Sequence, residues 1–413
     1  MNRAARIGII AVSVVIFCYA GLGHVLGRAT DDKAYKSLTV YGEVLQKIQQ
    51  DYVDDPNMRT VTAGSLHGLL ESLDPQSSYL TPREYDEYKK KLQNSSTGET
   101  GLTLSKRYGY VIVLSVLPDS PGTKAGIRSG DIFEAIGGFT TRDMSVGQAL
   151  NLLAGQPGTG IRVAIIRRGK ATPEEVDLVR EKPATLKIIV QKTEPDILVL
   201  RLPSLDAGRA DEVRNRLLDA EKQGVRKVIL DVRECGRGPV SEAISLARLF
   251  VPSGTITTLR GQTISVQVFS AEPKQVVWKN PVSVLIDATT SGAAEVFASA
   301  IVANHRGDVV GERTFGLASE QKLISLDDGA ALILTVANYY NPGGKSILEE
   351  GITPTEVVRA VPDDSDSGDD DAAPAPAPET QKEPGLGPRP LSPEDPIFHR
   401  ALDLLRTPAK KAA

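Results

Sequence analysis

Residues 197–232 read ILVLRLPSLDAGRADEVRNRLLDAEKQGVRKVILDV, and this stretch decides the fold class. It opens and closes with apolar runs rich in β-branched residues, which are typical of strands. Between them, residues 211–223 are a helix candidate. The same order returns where helix candidates at 239–250 and 293–303 flank a further apolar run, VSVLID, at 282–287. Alternating strands and helices predict an α/β layer whose strands are largely parallel.

Length and composition bound the function. The chain has 413 residues, which suggests two or three domains. Hydrophobic residues make up 41% and charged residues 24%, as in ordinary globular proteins, which argues against collagen and polytopic membrane proteins. The net charge is −4, of which −6 comes from six aspartates within residues 363–371, so the rest of the chain sums to +2. A nearly neutral chain of this kind has no basic surface that would indicate binding of nucleic acid. Two cysteines make no disulfide framework and four histidines lie far apart, so we expect no metal or cofactor.

The N-terminal segment predicts the location of the protein. Arg3 and Arg6 precede an uncharged stretch, residues 7–27, that is about long enough to span a bilayer as a helix. The positive residues favour a cytoplasmic N-terminus. We therefore predict an anchor in the inner (cytoplasmic) membrane, with the body on the periplasmic or other extracytoplasmic side. The alternative is a cleaved signal peptide, which would leave the protein secreted.

A second block carries a peptide-binding pattern, TGLTL at 100–104 followed by SPGTKAGIRSGD at 120–131. Gly101 lets the backbone turn so that the N–H groups of Leu102, Thr103 and Leu104 can face one anion. The C-terminal carboxylate of a peptide fits there, and the peptide can add as a strand to the sheet edge. The block resembles a PDZ domain, and we expect these four residues to bind peptide. The alternative is a small β module with a purely structural role.

Further motifs follow one another in a telling order: SLDPQSSYL (72–80), ILDVR (229–233), EVFASAIVANHRGDVVGERTFG (295–316), DDGAALILTVANYYNPGGKSI (327–347) and GITP (351–354). Together with the PDZ block, they resemble the carboxyl-terminal processing proteases, which are serine proteases of the S41 peptidase family. The resemblance covers residues 35–358. It implies an S41-type α/β core and peptide-bond hydrolysis by a serine nucleophile and a lysine base, often aided by a glutamine.

Both residues of the dyad that the resemblance implies are replaced. The family's serine is the middle one in Ser-Ala-Ser-Ala-Ser-Glu, and here the segment reads TSGAAE, so with Glu295 fixing the register its position falls on Gly292. The family's lysine lies in Phe-Gly-Lys-Gly-Ser-Val-Gln, and here FGLASEQ puts Leu317 at its position while Gln321 is retained. Glycine has no Oγ, and leucine has no amine that could accept the proton of a serine.

A third departure lies at residues 231–238. The family's Asp-Leu-Arg-x-Asn-Pro-Gly-Gly reads Asp-Val-Arg-Glu-Cys-Gly-Arg-Gly here, so the Asn-Pro-Gly-Gly portion is lost. A backbone oxyanion cradle depends on such turn chemistry. The residues that would carry out the chemistry are therefore changed at three places, whereas the motifs of the scaffold are retained. This combination predicts a pseudoprotease.

A shifted centre is the enzymatic alternative. Ser291, next to the nucleophile position, is the fallback nucleophile, but it needs a base. If residues 317–322 form a strand, Lys322 points away from the face that carries Leu317. Lys345 is too remote in sequence to assign. Cys235 lies between two arginines, and we expect it to be buried and inert.

The composition sets the domain boundaries. The tail is acidic and then rich in proline and alanine, which predicts a disordered linker. After it, DPIFHRALDLLR has one apolar side and forms either a docking helix or an unattached tail. The predicted segments are a signal anchor or signal peptide (1–28), a helical region (29–95), the PDZ domain (96–182), the S41-type core (183–360), the linker (361–394) and an amphipathic tail (395–413).

These observations predict an envelope adaptor or regulator that binds C-terminal or unfolded polypeptide segments without cutting them. An active relative in the family is a further candidate partner, and the membrane is a partner through the N-terminal segment. The alternatives are an active serine endopeptidase centred on Ser291 and a purely structural envelope scaffold.

Overall fold

The computed structural model describes residues 32–94, 97–107, 109–142, 144–167, 170, 172–359 and 395–407. The chain divides into two compact units, residues 1–65 and 66–413. In the first unit, helix α1 spans Asp32–Asp51, and helix α2, Met58–Glu71, begins there. The Tyr41 hydroxyl hydrogen-bonds the Ser65 hydroxyl within this unit.

Two predicted segments, the N-terminal anchor and the acidic linker, lie outside the described residues. Within the described residues, no helix combines the length and the hydropathy that a membrane crossing requires. The described part of the second unit begins with the end of α2 and continues through strand β1 (Ser78–Leu80) and helix α3 (Pro82–Gln93). Helix α3 starts at a capping box, in which Thr81 and Glu84 satisfy each other's backbone N–H groups.

A six-stranded antiparallel sheet forms the PDZ domain. Its elements are β2 (Leu102–Arg107), β3 (Tyr110–Val116), α4 (Pro121–Lys124), β4 (Ile132–Ile136), β5 (Phe139–Thr140), α5 (Val146–Leu153), β6 (Gly160–Ile166) and β7 (Glu174–Val179). The strand order is β2-β3-β4-β6-β7, with β5 beside β4, so β2 lies at an edge. Phe133, Ile136 and Leu153 are buried in its core. The block that resembles a PDZ domain therefore has the β-rich fold that the resemblance implied.

The central sheet of the core is largely parallel, as predicted. Its strands are β8 (Ile189–Glu194), β9 (Ile197–Arg201), β10 (Lys227–Asp231), β13 (Val282–Ile286), β14 (Asp308–Gly311) and β17 (Glu356–Val357). The order is β17-β14-β13-β10-β9-β8, and only β8 is antiparallel to its neighbour among these six. The crossover helices are α6 (Arg209–Lys222), α7 (Val240–Arg248) and α8 (Ala293–Ala303). Trp278, Phe250 and Phe297 are fully buried in the cluster that these helices form with the sheet.

A last helix, α9 (Pro396–Arg406), covers the other face of this sheet. Ile397, Phe398 and Leu402 are buried against strand residues that include Ile229 and Leu285. Of the two readings of the amphipathic tail, the structure has the docked helix. Asp395 caps α9 by accepting from two backbone N–H groups of its first turn.

An antiparallel sheet completes the second unit. It comprises β1, β11 (Thr255–Arg260), β12 (Gln267–Ser270), β15 (Ser319–Ser325) and β16 (Ala331–Tyr340). Strand β16 pairs with β1, β11 and β15. This sheet bears on function because its strand β15 follows directly after the segment that contains Leu317.

Candidate functional site

Gly292 occupies a sharp turn between strand β13 and helix α8. Its backbone angles are φ 61° and ψ −119°, a conformation that glycine adopts without strain and other residues rarely adopt. A Cβ at this position would meet no atom within 4 Å. Strained strand-to-helix turns of this kind expose the nucleophile in some hydrolases. The turn at Gly292 therefore has space for a side chain and carries none.

Glu295 joins the two replaced dyad positions. Its Oε2 accepts the backbone N–H of Gly292 at 2.8 Å and that of Leu317 at 2.7 Å. Its Oε1 accepts the N–H of Gly316 and the hydroxyl of Thr314, both at 2.6 Å. Gly292 and Leu317, which the alignment with the family's motifs assigned to the dyad positions, therefore lie close together in space.

The carboxyl of Glu295 is fully buried, and burial raises its pKa to about 7 against the opposing effect of its four hydrogen bonds. From the sequence alone, Glu295 served only to align residues 290–295 with the family's serine motif. Its role as the acceptor that ties the 314–317 segment to the start of α8 was not predicted, because those segments are distant in sequence.

No hydrogen bond joins Ser291, the fallback nucleophile, to a lysine among the described residues. Ser291 is 1% exposed, and its Oγ has no hydrogen-bond partner among the described residues. Lys322, Lys345 and the retained Gln321 are all exposed. The alternation argument for Lys322 does not extend to Leu317, since Leu317 precedes β15, which begins at Ser319.

Residues 234–238 form the loop beside the turn at Gly292. Cys235 is 1% exposed, and burial raises the pKa of its thiol to about 12, so the thiolate is scarce at neutral pH. The backbone carbonyl of Cys235 accepts the N–H of Ser291 at 3.1 Å. Arg237 takes part in ion pairs with Asp206 and Glu99 at 2.8 and 2.7 Å. This loop therefore presents a buried thiol and an arginine that is already paired with two carboxylates.

Arg233, just before this loop, points back to the sheet. It donates to both carboxylate oxygens of the buried Asp231 at 2.9 Å and to Asp395 at 2.7 Å. These bonds connect the start of the loop to the cap of helix α9.

The predicted carboxylate loop has the turn that it needs. Gly101 has φ 72°, and a Cβ there would lie 2.2 Å from the Cβ of Ser120, so only glycine fits. Its carbonyl accepts the N–H of Leu117 at 2.8 Å, which fixes the start of the edge strand β2. Leu102 and Thr103 lie on this strand, whose second edge is available for a ligand strand.

One cavity of about 530 Å³ lies between the carboxylate loop and Leu317. All four predicted peptide-binding residues line it, and side chains from helices α3 and α5 contribute to the wall. The core contributes Gly236, Arg237, Gly238 and Leu317. The structure therefore brings Leu317 and the predicted peptide-binding residues to one groove, whereas Gly292, Ser291 and Gln321 do not line it. Within the described residues there is no cluster of acidic, histidine or cysteine side chains that could hold a metal ion.

Comparison with known proteins agrees with this arrangement. The family model of Peptidase family S41 matches residues 196–358, and that of the PDZ domain matches residues 112–167. A carboxy-terminal-processing protease of Bartonella bacilliformis is 30% identical over 336 residues, which cover 79% of this chain and 76% of that protein. The chain belongs to peptidase family S41. Within the family it is close to the carboxyl-terminal processing proteases, as the sequence motifs predicted.

Two further comparisons show the extent of the likeness. The carboxy-terminal processing protease CtpA of Bacillus subtilis is 26% identical over 357 residues, 86% of this chain and 76% of that protein. Among solved structures, the photosystem II D1 C-terminal processing protease has a TM-score of 0.64 at 23% identity, covering 78% of this chain and 92% of that one. At this identity, the second likeness supports the fold alone.

Proposed function

We propose that this S41 family member does not hydrolyse peptide bonds and instead binds the free C-termini of proteins. One observation carries the proposal: a single oxygen of Glu295 accepts the amides of both Gly292 and Leu317. The shared acceptor supports the assignment of these residues to the dyad positions. Glycine and leucine have no nucleophilic oxygen and no basic amine, so the standard proton transfer has no participants.

The geometry around Ser291 favours this proposal over a shifted catalytic centre. A catalytic serine needs a base within hydrogen-bond reach of its Oγ. The Ser291 Oγ has no partner among the described residues, and it is buried where solvent does not reach it. A buried thiol at Cys235, with its raised pKa, supplies no nucleophile either.

The binding half of the proposal rests on the carboxylate loop and its groove. Gly101 has a turn that only glycine fits, β2 is an edge strand, and seven leucines are among the residues that line the adjoining cavity. Backbone N–H groups in such a loop bind a terminal carboxylate, and the strand edge binds the extended residues before it. The family's carboxy-terminal processing activity in relatives, as their names state, is consistent with a ligand of this class.

The proposed biological role is an adaptor or regulator in the cell envelope. The support is the uncharged segment at residues 7–27, which would anchor the chain with its body on the extracytoplasmic side. In that place the protein would hold client C-termini, or assemble with an active relative in the family and modulate it. A cleaved segment would give the same body in secreted form.

Peptide binding and proteolysis should be measured on the full chain in detergent. The probes are a fluorescein-labelled decapeptide that ends in valine and its C-terminally amidated twin. We expect saturable binding of the free acid and binding at least about tenfold weaker for the amide, because the amide loses the charge that the loop neutralises. An unfolded protein incubated with the chain should remain intact by mass spectrometry.

Two results would redirect the proposal. Cleavage by the wild type that disappears in Ser291→Ala would establish the shifted serine enzyme. Failure to bind either peptide would favour the structural scaffold.

A further inference from the structure

Arg237 connects the PDZ domain to the core. Its Nε and Nη2 donate to the two carboxylate oxygens of Asp206, in the core, at 2.8 and 3.0 Å. Its Nη1 donates to Glu99, in the PDZ domain, at 2.7 Å. Glu99 is itself fixed, because its backbone pairs with Glu181 in both directions at 2.8 and 3.1 Å. One guanidinium therefore bridges a carboxylate of the core and a carboxylate of the PDZ domain.

At the neighbouring Gly236, the PDZ domain and the core pack closely against each other. A Cβ at Gly236 would lie 2.8 Å from the hydroxyl oxygens of both Ser115 and Ser291, and 3.1 Å from the methyl group of Thr103. Ser115 and Thr103 belong to the PDZ strands, whereas Ser291 belongs to the core. Such approach requires a residue without a side chain.

The same loop lines the peptide cavity. Gly236, Arg237 and Gly238 face the carboxylate loop, and Leu317 adds an apolar side chain from the core. Leu317 is only partly buried, so it has apolar surface left to cover. A peptide whose carboxylate lies at Gly101 would therefore contact the core as well as the PDZ domain.

We infer that Leu317 and the loop at residues 236–238 form the second wall of the peptide groove, and that Arg237 is a latch that holds the PDZ domain against this wall. The inference rests on the proposed function, since its ligand is the same free C-terminus with an apolar last residue. It gives the changed residues a role: Leu317 contacts the ligand, Gly236 permits close approach, and Arg237 fixes the closure.

The latch is tested by fluorescence anisotropy of the valine-ended decapeptide on the full chain. We expect Arg237→Ala and Glu99→Ala each to raise Kd about three- to tenfold, because each variant breaks the ion pair between Arg237 and Glu99 that joins the two walls. Arg248→Ala is the matched control. Arg248 is 23% exposed against 27% for Arg237, and it pairs with Glu272 inside the core. We expect no change in Kd for this control.

The wall is tested with Leu317→Ala, for which we expect Kd to rise about five- to twentyfold as apolar contact is lost. Leu323→Ala, on the adjacent strand and 37% exposed, is the control and should bind like the wild type. Wild-type-like binding by the Arg237, Glu99 and Leu317 variants would overturn the inference and leave the proposed function intact.

A second measurement keeps the latch falsifiable without a ligand. Hydrogen exchange of the amides at residues 101–104 in the free protein should accelerate in Arg237→Ala and remain unchanged in Arg248→Ala. If the wild type binds no peptide, the proposed function fails. If exchange at these amides is equal in the two variants, the latch fails whatever the peptide does.

Discussion

The backbone amides of Gly292 and Leu317 donate to the same carboxylate oxygen of Glu295, at 2.8 and 2.7 Å. The two positions that the family resemblance assigns to the catalytic pair are thus held close together by one acceptor, although glycine and leucine bring no hydroxyl and no amine to them. This arrangement stabilises the fold, because Glu295 anchors the 314–317 segment to the start of helix α8. Architecture and chemistry are separable at this centre.

Restoring the two side chains alone should not restore proteolysis. We expect the double variant Gly292→Ser, Leu317→Lys to leave an unfolded substrate intact, since residues 235–238 still lack the Asn-Pro-Gly-Gly turn. Serine at φ 61° should also destabilise the fold by about 1–3 kcal/mol. Mass spectrometry of the products and chemical denaturation check the two parts. Cleavage by the double variant that is lost with alanine at position 292 would contradict this prediction.

The pKa of Glu295 predicts a pH dependence of stability. Burial raises it from 4.5 in the unfolded chain to about 7 in the fold. Between these values the folded protein retains a proton that the unfolded chain has released, so the free energy of unfolding falls as pH rises through this window. The contribution is about 3 kcal/mol, fully lost above the folded pKa.

Denaturant titrations from about pH 5 to about pH 8 measure this slope. The variant Glu295→Gln should be less stable than the wild type and should lack this part of the slope, because glutamine does not titrate. Equal slopes in the two proteins would show that the carboxyl of Glu295 stays ionised throughout.

The carboxylate loop depends on glycine at position 101. Gly101→Ala should abolish binding of the valine-ended peptide and lower stability, because its Cβ would lie 2.2 Å from the Cβ of Ser120. Gly109→Ala is the control: Gly109 also has positive φ, at 81°, but a Cβ there meets nothing within 4 Å. We expect the control to lose only about 1 kcal/mol and to bind normally. Comparable loss of binding in both would mean that backbone strain, and not the loop, is responsible.

Helix α9 is predicted to be an integral part of the core. Phe398→Ala should lower the free energy of unfolding by about 3–5 kcal/mol, because the ring is 2% exposed and packs on the sheet. The exposed His399 on the same helix provides the control, and His399→Ala should change stability by less than about 0.5 kcal/mol. Similar values for the two variants would indicate that the helix does not remain docked in solution.

Much of the fold could be predicted from local patterns. The apolar runs around Val228 and Val284 predicted parallel strands because they combine β-branched residues with intervening helices, and the structure pairs them directly. The orientation of Lys322 relative to Leu317 stays a prediction, since Leu317 precedes strand β15, which begins at Ser319. Alternation relates residues within one strand and carries no information about a residue that lies outside it.

The sequence by itself determined the family, because motifs are properties of local sequence, and it predicted Gly292 and Leu317 as the positions that lack the hydroxyl and the amine. Only the tertiary structure decided that Gly236 contacts Ser115, that Arg237 bridges Asp206 to Glu99, and that the last helix docks on the sheet. These contacts join residues that lie from 31 to 212 positions apart in the chain, and no local propensity specifies them. They arise when apolar faces and buried charges find partners as the chain becomes compact.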